Sequence, residues 1–485
     1  MKQTSLKGNF VLNAILAMSG FLFPLITFPY VSRILQPAGT GRVAFATSVI
    51  SYFSMFAQLG IPTYGIRACA KVRDDRAALS RTVHELLSIN LVMDIISYGM
   101  LAVALVLIPR LKEDRVLFLV LSTTILLNTL GMEWLFKALE QYRYITVRSL
   151  VFKLVALAAV FLLVKQESDC VLYGGISIFA ASASNLMNLL YARKFVDGGR
   201  MEGTDWKRHL KPVMIFFALS CAATVYTNLD ALMLGFMTTN ADVGYYNAAV
   251  KVKTVLVSLV TSLGAVLLPR SSYYVEQGRM EEFRRMSRKA LQFVLLLASA
   301  LMLYFMLFAE DCILLLSGEA YRNAVVPMQV IMPTVLFIGL TNILGIQMLV
   351  PMGREKTVLK SEIAGAVVDL ILNALLIPSW KATGAAVGTL VAEAVVLFVQ
   401  YGALKSEVRG ILTGFRWKNL LVGLFLAVVS CCWIRQLHLS TLVALVLSAG
   451  LFFGVYGMWL LVRKETLVSE LLNQVRQRVN RNQES

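Results

Sequence analysis

The chain has 485 residues, 58% of them apolar and only 15% charged. Soluble domains carry about 25% charged and 45–50% apolar residues, so a soluble multidomain enzyme, a disordered chain and a single-span receptor are excluded. At about 20 apolar residues per crossing, the content supplies roughly fourteen membrane helices, and the chain reads as an all-α polytopic membrane protein. The excess of 46 Lys and Arg over 29 Asp and Glu gives a net charge of +17. In a membrane protein that excess belongs to cytoplasmic loops, and no nucleic-acid partner is expected.

The N-terminus is basic at Lys2 and Lys7 and becomes apolar from Phe10 with no small-residue cleavage site. It reads as a first span over 10–33 and not as a removed signal peptide. Charged, Gly and Pro breaks then delimit spans at 42–65, 84–108, 115–136, 149–164, 170–192 and 212–237, followed by 244–268, 290–309, 324–350, 361–378, 384–403, 419–434 and 441–462. When the chain starts inside and alternates, 34 of the 46 basic residues fall in inside segments and nine outside. That asymmetry places both termini in the cytoplasm. No outside loop is long enough to form an extracytoplasmic domain.

These spans divide into an N-lobe of six with its linker over 1–211, a C-lobe of six over 212–404, two further helices within 405–462, and a tail over 463–485. The linker contains Asp197-Gly198-Gly199. In the tail Leu467, Leu471, Val475 and Val479 are four apart, which suits a helix lying on the inner leaflet; a frayed soluble tail is the alternative. A shift of 203 residues lays Gly41 on Gly244, Arg67 on Arg270, Arg76 on Arg279 and Arg81 on Arg284, in register with the spans. Six spans repeating as six keep their orientation, so the lobes read as parallel repeats around a central cavity, an architecture of alternating-access transporters.

Histidine is limited to His84, His209 and His438, and the six cysteines form no C-x-x-C pair, so no metal site and no cofactor is expected. A coupling ion, H+ or Na+, is compatible with Asp94, Asp369 and Glu393 inside spans three, eleven and twelve. An ionisable group at mid-bilayer costs about 2.5–3.5 kcal/mol on insertion scales, so each needs a partner or a wet cavity. Asp230 in span seven lies at the depth of Lys251 and Lys253 in span eight, and a pair of Asp230 with either lysine leaves one cation spare. A buried structural ion pair is the alternative reading of this group. Tyr226, Asn228, Tyr245, Tyr246 and Asn247 surround it with groups suited to sugars, or with an interfacial aromatic belt. Arg33 follows Pro24 and Pro29, two prolines expected to bend or break the first span; snorkelling to the interface is its other reading. Glu133 and Lys153 match in depth near the inner ends of spans four and five and read as structural.

The stretch FVLNAILAMSGFLFPLITFPYVSRILQPAGTGRVAFATSV resembles the start of bacterial polysaccharide-repeat-unit flippases. The segments EWLFKALEQYRYITVRS and NLDALMLGF…VGYYNAAVKV are similar to later parts of the same family, a branch of the multidrug/oligosaccharidyl-lipid/polysaccharide exporter superfamily. The family's fourth-span motif usually begins Asp-Trp; here it is Glu133-Trp134, which keeps the carboxylate. The resemblance implies a bacterial inner-membrane protein, not an enzyme, that moves an undecaprenyl-diphosphate-linked oligosaccharide between leaflets by alternating access. Its partners would be the lipid-linked oligosaccharide, membrane lipids and polysaccharide polymerase or export proteins. On this reading Arg33 with Lys251 or Lys253 attracts the diphosphate, Tyr226, Asn228 and Tyr245 contact sugars, and Asp230 holds a lysine in the empty state. Arg67 and Arg270 form the cytoplasmic entrance. A multidrug antiporter of the same superfamily and a peptidoglycan-precursor flippase share the topology. A membrane glycosyltransferase or polymerase would need a large periplasmic loop or an Asp-x-Asp, and neither is found.

Overall fold

A computed structural model of the protein describes residues 6–197, 205–413, 415–437 and 439–465. The Gly198-Gly199 pair of the linker and the apolar stripe of the tail lie outside the described residues. All regular structure among the described residues is helical. Contacts gather the chain into two compact units, Met1–Asn247 and Ala248–Ser485.

The first unit contains α1 (Leu6–Gln58), α2 (Ile61–Lys71), α3 (Arg76–Leu107), α4 (Pro109–Lys112), α5 (Arg115–Gly131), α6 (Glu133–Ala138), α7 (Tyr142–Leu163), α8 (Cys170–Ile178), α9 (Asn185–Ala192), α10 (Lys207–Met237) and the first turns of α11 (Asn240–Glu276). A π-helical turn at Phe179–Ala183 divides the sixth predicted span between α8 and α9. α10, which the sequence assigns to the second lobe, packs along α1 in this unit.

α1 is 53 residues long, about 80 Å at 1.5 Å per residue, against a hydrocarbon core of about 30 Å. Its helical dihedrals fail at Gln36 (φ 57°, ψ 174°), directly before Pro37, where the pyrrolidine ring excludes the α conformation. The failure falls in the loop expected between the first two spans. No helical dihedral is lost at Pro24 or Pro29, so neither breaks α1. The Thr27 hydroxyl donates to the Phe23 carbonyl at 2.9 Å, and Arg33 Nη1 donates to the Pro29 carbonyl at 2.7 Å. Both bonds run from a side chain to the carbonyl one turn earlier in the proline-containing stretch.

The core at one end of this unit is aromatic. Met132, at φ 41°, closes α5, and α6 inserts Trp134 and Phe136 into a cluster with Ile61, Leu86 and Ile145. Gly65 of α2 sits under the Trp134 ring, where an added Cβ would lie 2.8 Å from ring carbons. Tyr144 and Tyr191 stack beside Phe136, with centroids 4.2 Å apart. The Glu133-Trp134 motif therefore serves packing. Glu133 pairs with Lys137 at 2.8 Å and reaches Arg148 at 4.0 Å, whereas Lys153 donates to the Ser19 hydroxyl at 2.8 Å. Neighbours one turn apart on the same helix outcompete the depth-matched partner on another.

Beside this core lies a buried polar knot. Glu85 of α3 is fully buried and accepts from Arg208 Nη2 at 2.6 Å, His209 Nε2 at 2.8 Å and the Asp205 backbone N–H at 2.7 Å. His209 Nδ1 is bonded to the Tyr64 hydroxyl at 2.8 Å, so the knot ties α2 and α3 to the start of α10.

The second unit continues α11 and adds α12 (Met280–Leu307), α13 (Ala309–Ser317), α14 (Val325–Ile331), α15 (Pro333–Thr341), α16 (Glu355–Ala403), α17 (Lys405–Leu412), α18 (Trp417–Cys431) and α19 (Thr441–Val462). α16 has 49 residues and loses helical geometry at Lys381 (φ 50°, ψ −128°), between two predicted spans. α18 and α19 pack on each other, and α19 is bonded to α12 through Tyr304 to the Leu445 carbonyl and Tyr456 to the Leu296 carbonyl.

Ten helices among the described residues are long and apolar enough to cross a membrane, or twelve if two bent pairs, Asn240–Ser262 with Leu267–Glu276 and Glu319–Ile331 with Pro333–Leu349, each form one span. Two of the ten, Met18–Lys71 and Glu355–Ala403, contain the breaks at Gln36 and Lys381.

Candidate translocation site

The glycines matched by the internal repeat meet in the first unit. A Cβ on Gly41 would overlap the Asn240 carbonyl, and one on Gly244 would overlap the Pro37 carbonyl. The segment after the α1 break and the start of α11 thus cross backbone on backbone, an approach that only glycine permits. A polar girdle surrounds the crossing. Arg110 donates to the Gly235 carbonyl at 2.9 Å and to Asn240 Oδ1 at 2.5 Å, and Arg42 pairs with Asp114. Asp242 accepts from the Thr239 hydroxyl at 2.6 Å and backbone N–H at 3.2 Å, which caps the start of α11.

Of the residues nominated from sequence, Asp230 accepts a hydrogen bond from the Tyr246 hydroxyl across the α10–α11 turn. Tyr226 and Tyr245 are half-buried, and Asn228 bonds within its own helix to the Thr224 carbonyl at 3.2 Å and the Thr227 hydroxyl at 2.9 Å. Arg33 and Arg67 are exposed. In the second unit Lys251 and Lys253 are half-buried, and the exposed Arg270 places its guanidinium 6.0 Å from the Tyr274 ring. The intramembrane carboxyls Asp369 and Glu393 are buried there. Asp94, 3% exposed, accepts from the Thr129 hydroxyl at 3.0 Å through Oδ1, while its Oδ2 has no hydrogen-bond partner among the described residues.

A groove lined by uncharged polar side chains is not among the features expected from the sequence. A groove of about 540 Å³ runs between the second half of α1, α5, α8 and α10. α1 contributes Thr47, Ser51, Ser54 and Gln58, spaced four, three and four residues apart on one helical face. α5 adds Thr124 and Asn128, and α10 adds Ser220 and Thr224, each pair one turn apart. Nine of the sixteen lining residues are polar and uncharged, and no charged residue lines the groove. Asn128 Oδ1 is occupied by Ser182 and Asn185, both at 3.1 Å, and its amide nitrogen donates to no described residue. Gln58 Nε2 is spent on the Ser54 hydroxyl at 3.2 Å, and its carbonyl oxygen accepts from no described residue. The groove therefore offers both donors and acceptors, and no charge, to a ligand.

A helical chain with ten to twelve membrane-length apolar helices is a multi-pass membrane protein, which in a bacterium resides in the inner membrane. Residues 6–275, more than half of the chain, match the family model described as Polysaccharide biosynthesis protein, and the chain belongs to that family. It is 26% identical over 81% of its length to 95% of a protein of Escherichia coli (strain K12) named as an O-antigen transporter. A protein of the same description from Shigella dysenteriae is 24% identical over 82% of this chain and all of its own length. Among solved structures, the lipid II flippase MurJ in an inward closed conformation superposes with a TM-score of 0.69, covering 92% of this chain and 99% of that one at 13% identity. An inward-facing multidrug resistance transporter of the MATE family and MOP superfamily gives 0.65, with 84% and 99% covered, also at 13% identity. The fold is thus the one these two transporters share, and the chain belongs with transporters and not with enzymes.

Proposed function

We propose that the protein is a flippase that carries an undecaprenyl-diphosphate-linked oligosaccharide across the inner membrane by alternating access, for assembly of a surface polysaccharide. Fourteen crossings support that cycle when each bent pair forms one span and each break, at Gln36 and at Lys381, separates two, with both termini cytoplasmic. In this reading residues 1–211 and 212–404 act as the two six-helix lobes, followed by two helices to 462. Arg33, with Lys251 or Lys253, attracts the diphosphate, and Arg67 and Arg270 flank the cytoplasmic entrance. Tyr226, Asn228 and Tyr245 meet sugars, and Asp230 holds a lysine in the empty state and releases it to the diphosphate. The cycle is driven by H+ or Na+, and the product passes to a polymerase or export protein.

The observation that carries the reading is the uncharged groove of the first unit, where nine Ser, Thr, Asn and Gln side chains stand among apolar ones. Lipid tails do not solvate hydroxyls and amides, and the Asn128 amide nitrogen and the Gln58 carbonyl oxygen are taken by no described residue, so the groove suits water or a polar ligand. A glycan presents hydroxyls that both donate and accept, matching Ser, Thr, Asn and Gln without requiring charge. A cationic drug would call for a carboxylate in the same place, and the groove has none. The names of the O-antigen transporters point to the same class of cargo.

Asn128→Leu with Thr224→Val removes two groove groups while keeping side-chain size. At equal membrane abundance this variant is expected to lower transport of lipid-linked oligosaccharide by about tenfold or more, since each hydrogen bond not made costs about 1 kcal/mol or more. Cellular resistance to cationic dyes should not depend on the protein. Unchanged oligosaccharide transport, or dye resistance lost with the groove, contradicts the proposal.

A further inference from the structure

The second unit carries an arginine-lined cavity that the translocation site does not use. It measures about 670 Å³, with Arg284, Arg285 and Arg288 of α12 on one wall and Ser406, Glu407 and Gly410 of α17 on the other. Buried Ile411 of α17 adds an apolar side chain to the lining. Arg288 Nη2 donates to the Gly410 carbonyl at 3.2 Å, which joins the walls. Arg284 and Arg285 make no hydrogen bond or ion pair among the described residues, and all three arginines are exposed. Glu281 and Glu407 also line the cavity. Glu407 is already engaged by the Ser406 hydroxyl at 2.7 Å, and that bond, with the charges of Arg354 and Arg284, holds its carboxyl below the usual carboxylate range. The cavity is left with a cationic surplus and open guanidinium forks.

Its level in the membrane follows from its neighbours. The apolar run of α12 begins at Ala290, just past Arg288. Shortly after α17 comes Trp417, 46% exposed and set edge-on against Phe415, at the first turn of α18. An exposed tryptophan at the start of a membrane helix marks the head-group layer. Both walls come from segments that the charge count assigns to the cytoplasmic side, the leaflet face where basic pockets between helices bind anionic lipid head groups.

We propose that this cavity binds the phosphate of an anionic glycerophospholipid, with Arg284 and Arg288 grasping its oxygens from consecutive turns of α12 and Arg285 completing the fork. Guanidinium groups suit this task because they hold phosphate oxygens in bidentate geometry. The occupied site would fasten the inner ends of α12 and α17 to the leaflet. The inference is independent of what the protein transports.

The test is native mass spectrometry of the delipidated full-length protein titrated with phosphatidylglycerol, with phosphatidylethanolamine, and with phosphatidylglycerol in the presence of millimolar inorganic phosphate. Wild type is expected to prefer phosphatidylglycerol by about tenfold, the size of one charge-assisted contact. Arg284→Gln/Arg285→Gln/Arg288→Gln should lose that preference. Lys71→Gln/Arg81→Gln/Arg143→Gln, which removes as many charges from other basic segments, should keep it. Arg285→Gln alone, at a side chain with no protein partner, should lose part of it and guards against a misfolded triple variant. Equal binding of the two lipids by wild type, equal loss in both triple variants, or displacement of the lipid by inorganic phosphate overturns the proposal.

Discussion

Gly41→Leu and Gly244→Leu are each expected to reduce transport at least tenfold, although neither residue touches a candidate substrate group. A Cβ at either position overlaps a backbone carbonyl, Asn240 in one case and Pro37 in the other, and a carbonyl held in a helix start cannot move as a flexible side chain would. The crossing has to open by displacement of whole segments, and Arg110 and the Arg42–Asp114 pair resist that from either side. Overpacking a tight contact costs about 1–3 kcal/mol, roughly ten- to hundredfold in the population of the crossed state. Gly20→Leu, Gly99→Leu and Gly402→Leu provide the comparison, since an added Cβ meets nothing within 4 Å at those positions. Transport measured in membrane vesicles at matched abundance separates the two groups. Equal activity in both would show that the crossing has no part in the cycle.

Glu85→Ala should produce the largest loss of stability in the first unit. The carboxylate is fully buried and receives donors from Arg208, His209 and the Asp205 backbone. Removing one member of a buried ionic cluster costs about 3–5 kcal/mol, and the half-exposed guanidinium of Arg208 places the expected loss near the lower end, about 3 kcal/mol. Tyr64→Phe, which takes away only the hydroxyl bonded to His209 Nδ1, should cost about 1 kcal/mol. Thermal unfolding of the purified protein in one detergent checks both: Glu85→Ala unfolds well below wild type and Tyr64→Phe falls between them. The reverse order would mean that the knot is held by Tyr64 and His209 and not by the carboxylate.

Periodicity and charge made the membrane helices legible. The break at Gln36 lies where the sequence places a loop because Pro37 and the small residues after it oppose a continuous helix. The fourteenth predicted span, 441–462, coincides with α19 because it is flanked by polar residues and uninterrupted within. Gly41 and Gly244 were visible as a repeat, but spacing alone could not reveal that they meet each other. The candidate site was less legible. Attention to ionisable groups selected Asp230, Lys251 and Lys253, since a charge in an apolar run is conspicuous. Hydroxyls are not, because Ser and Thr often bond back to their own helix, as Thr27 and Ser122 do. The signal was nevertheless present in Thr47, Ser51, Ser54 and Gln58, four polar residues on one helical face of an apolar span. Only the packing of α5 and α10 beside that face turns a stripe into a groove. The Glu85 knot was beyond reach from sequence, because its partners are more than a hundred residues away and lie beside ordinary loop charges.

In the proposed function this chain moves a lipid-linked glycan between leaflets. The most direct measurement places the purified protein in vesicles with undecaprenyl-diphosphate-linked oligosaccharide confined to one leaflet. A membrane-impermeant glycosidase then reports how much glycan has reached the other. Protein-dependent appearance of cleavable glycan, slowed at least tenfold by Asn128→Leu/Thr224→Val, is the predicted result. No protein-dependent transfer in vesicles that hold folded protein, under an imposed H+ or Na+ gradient, would contradict it.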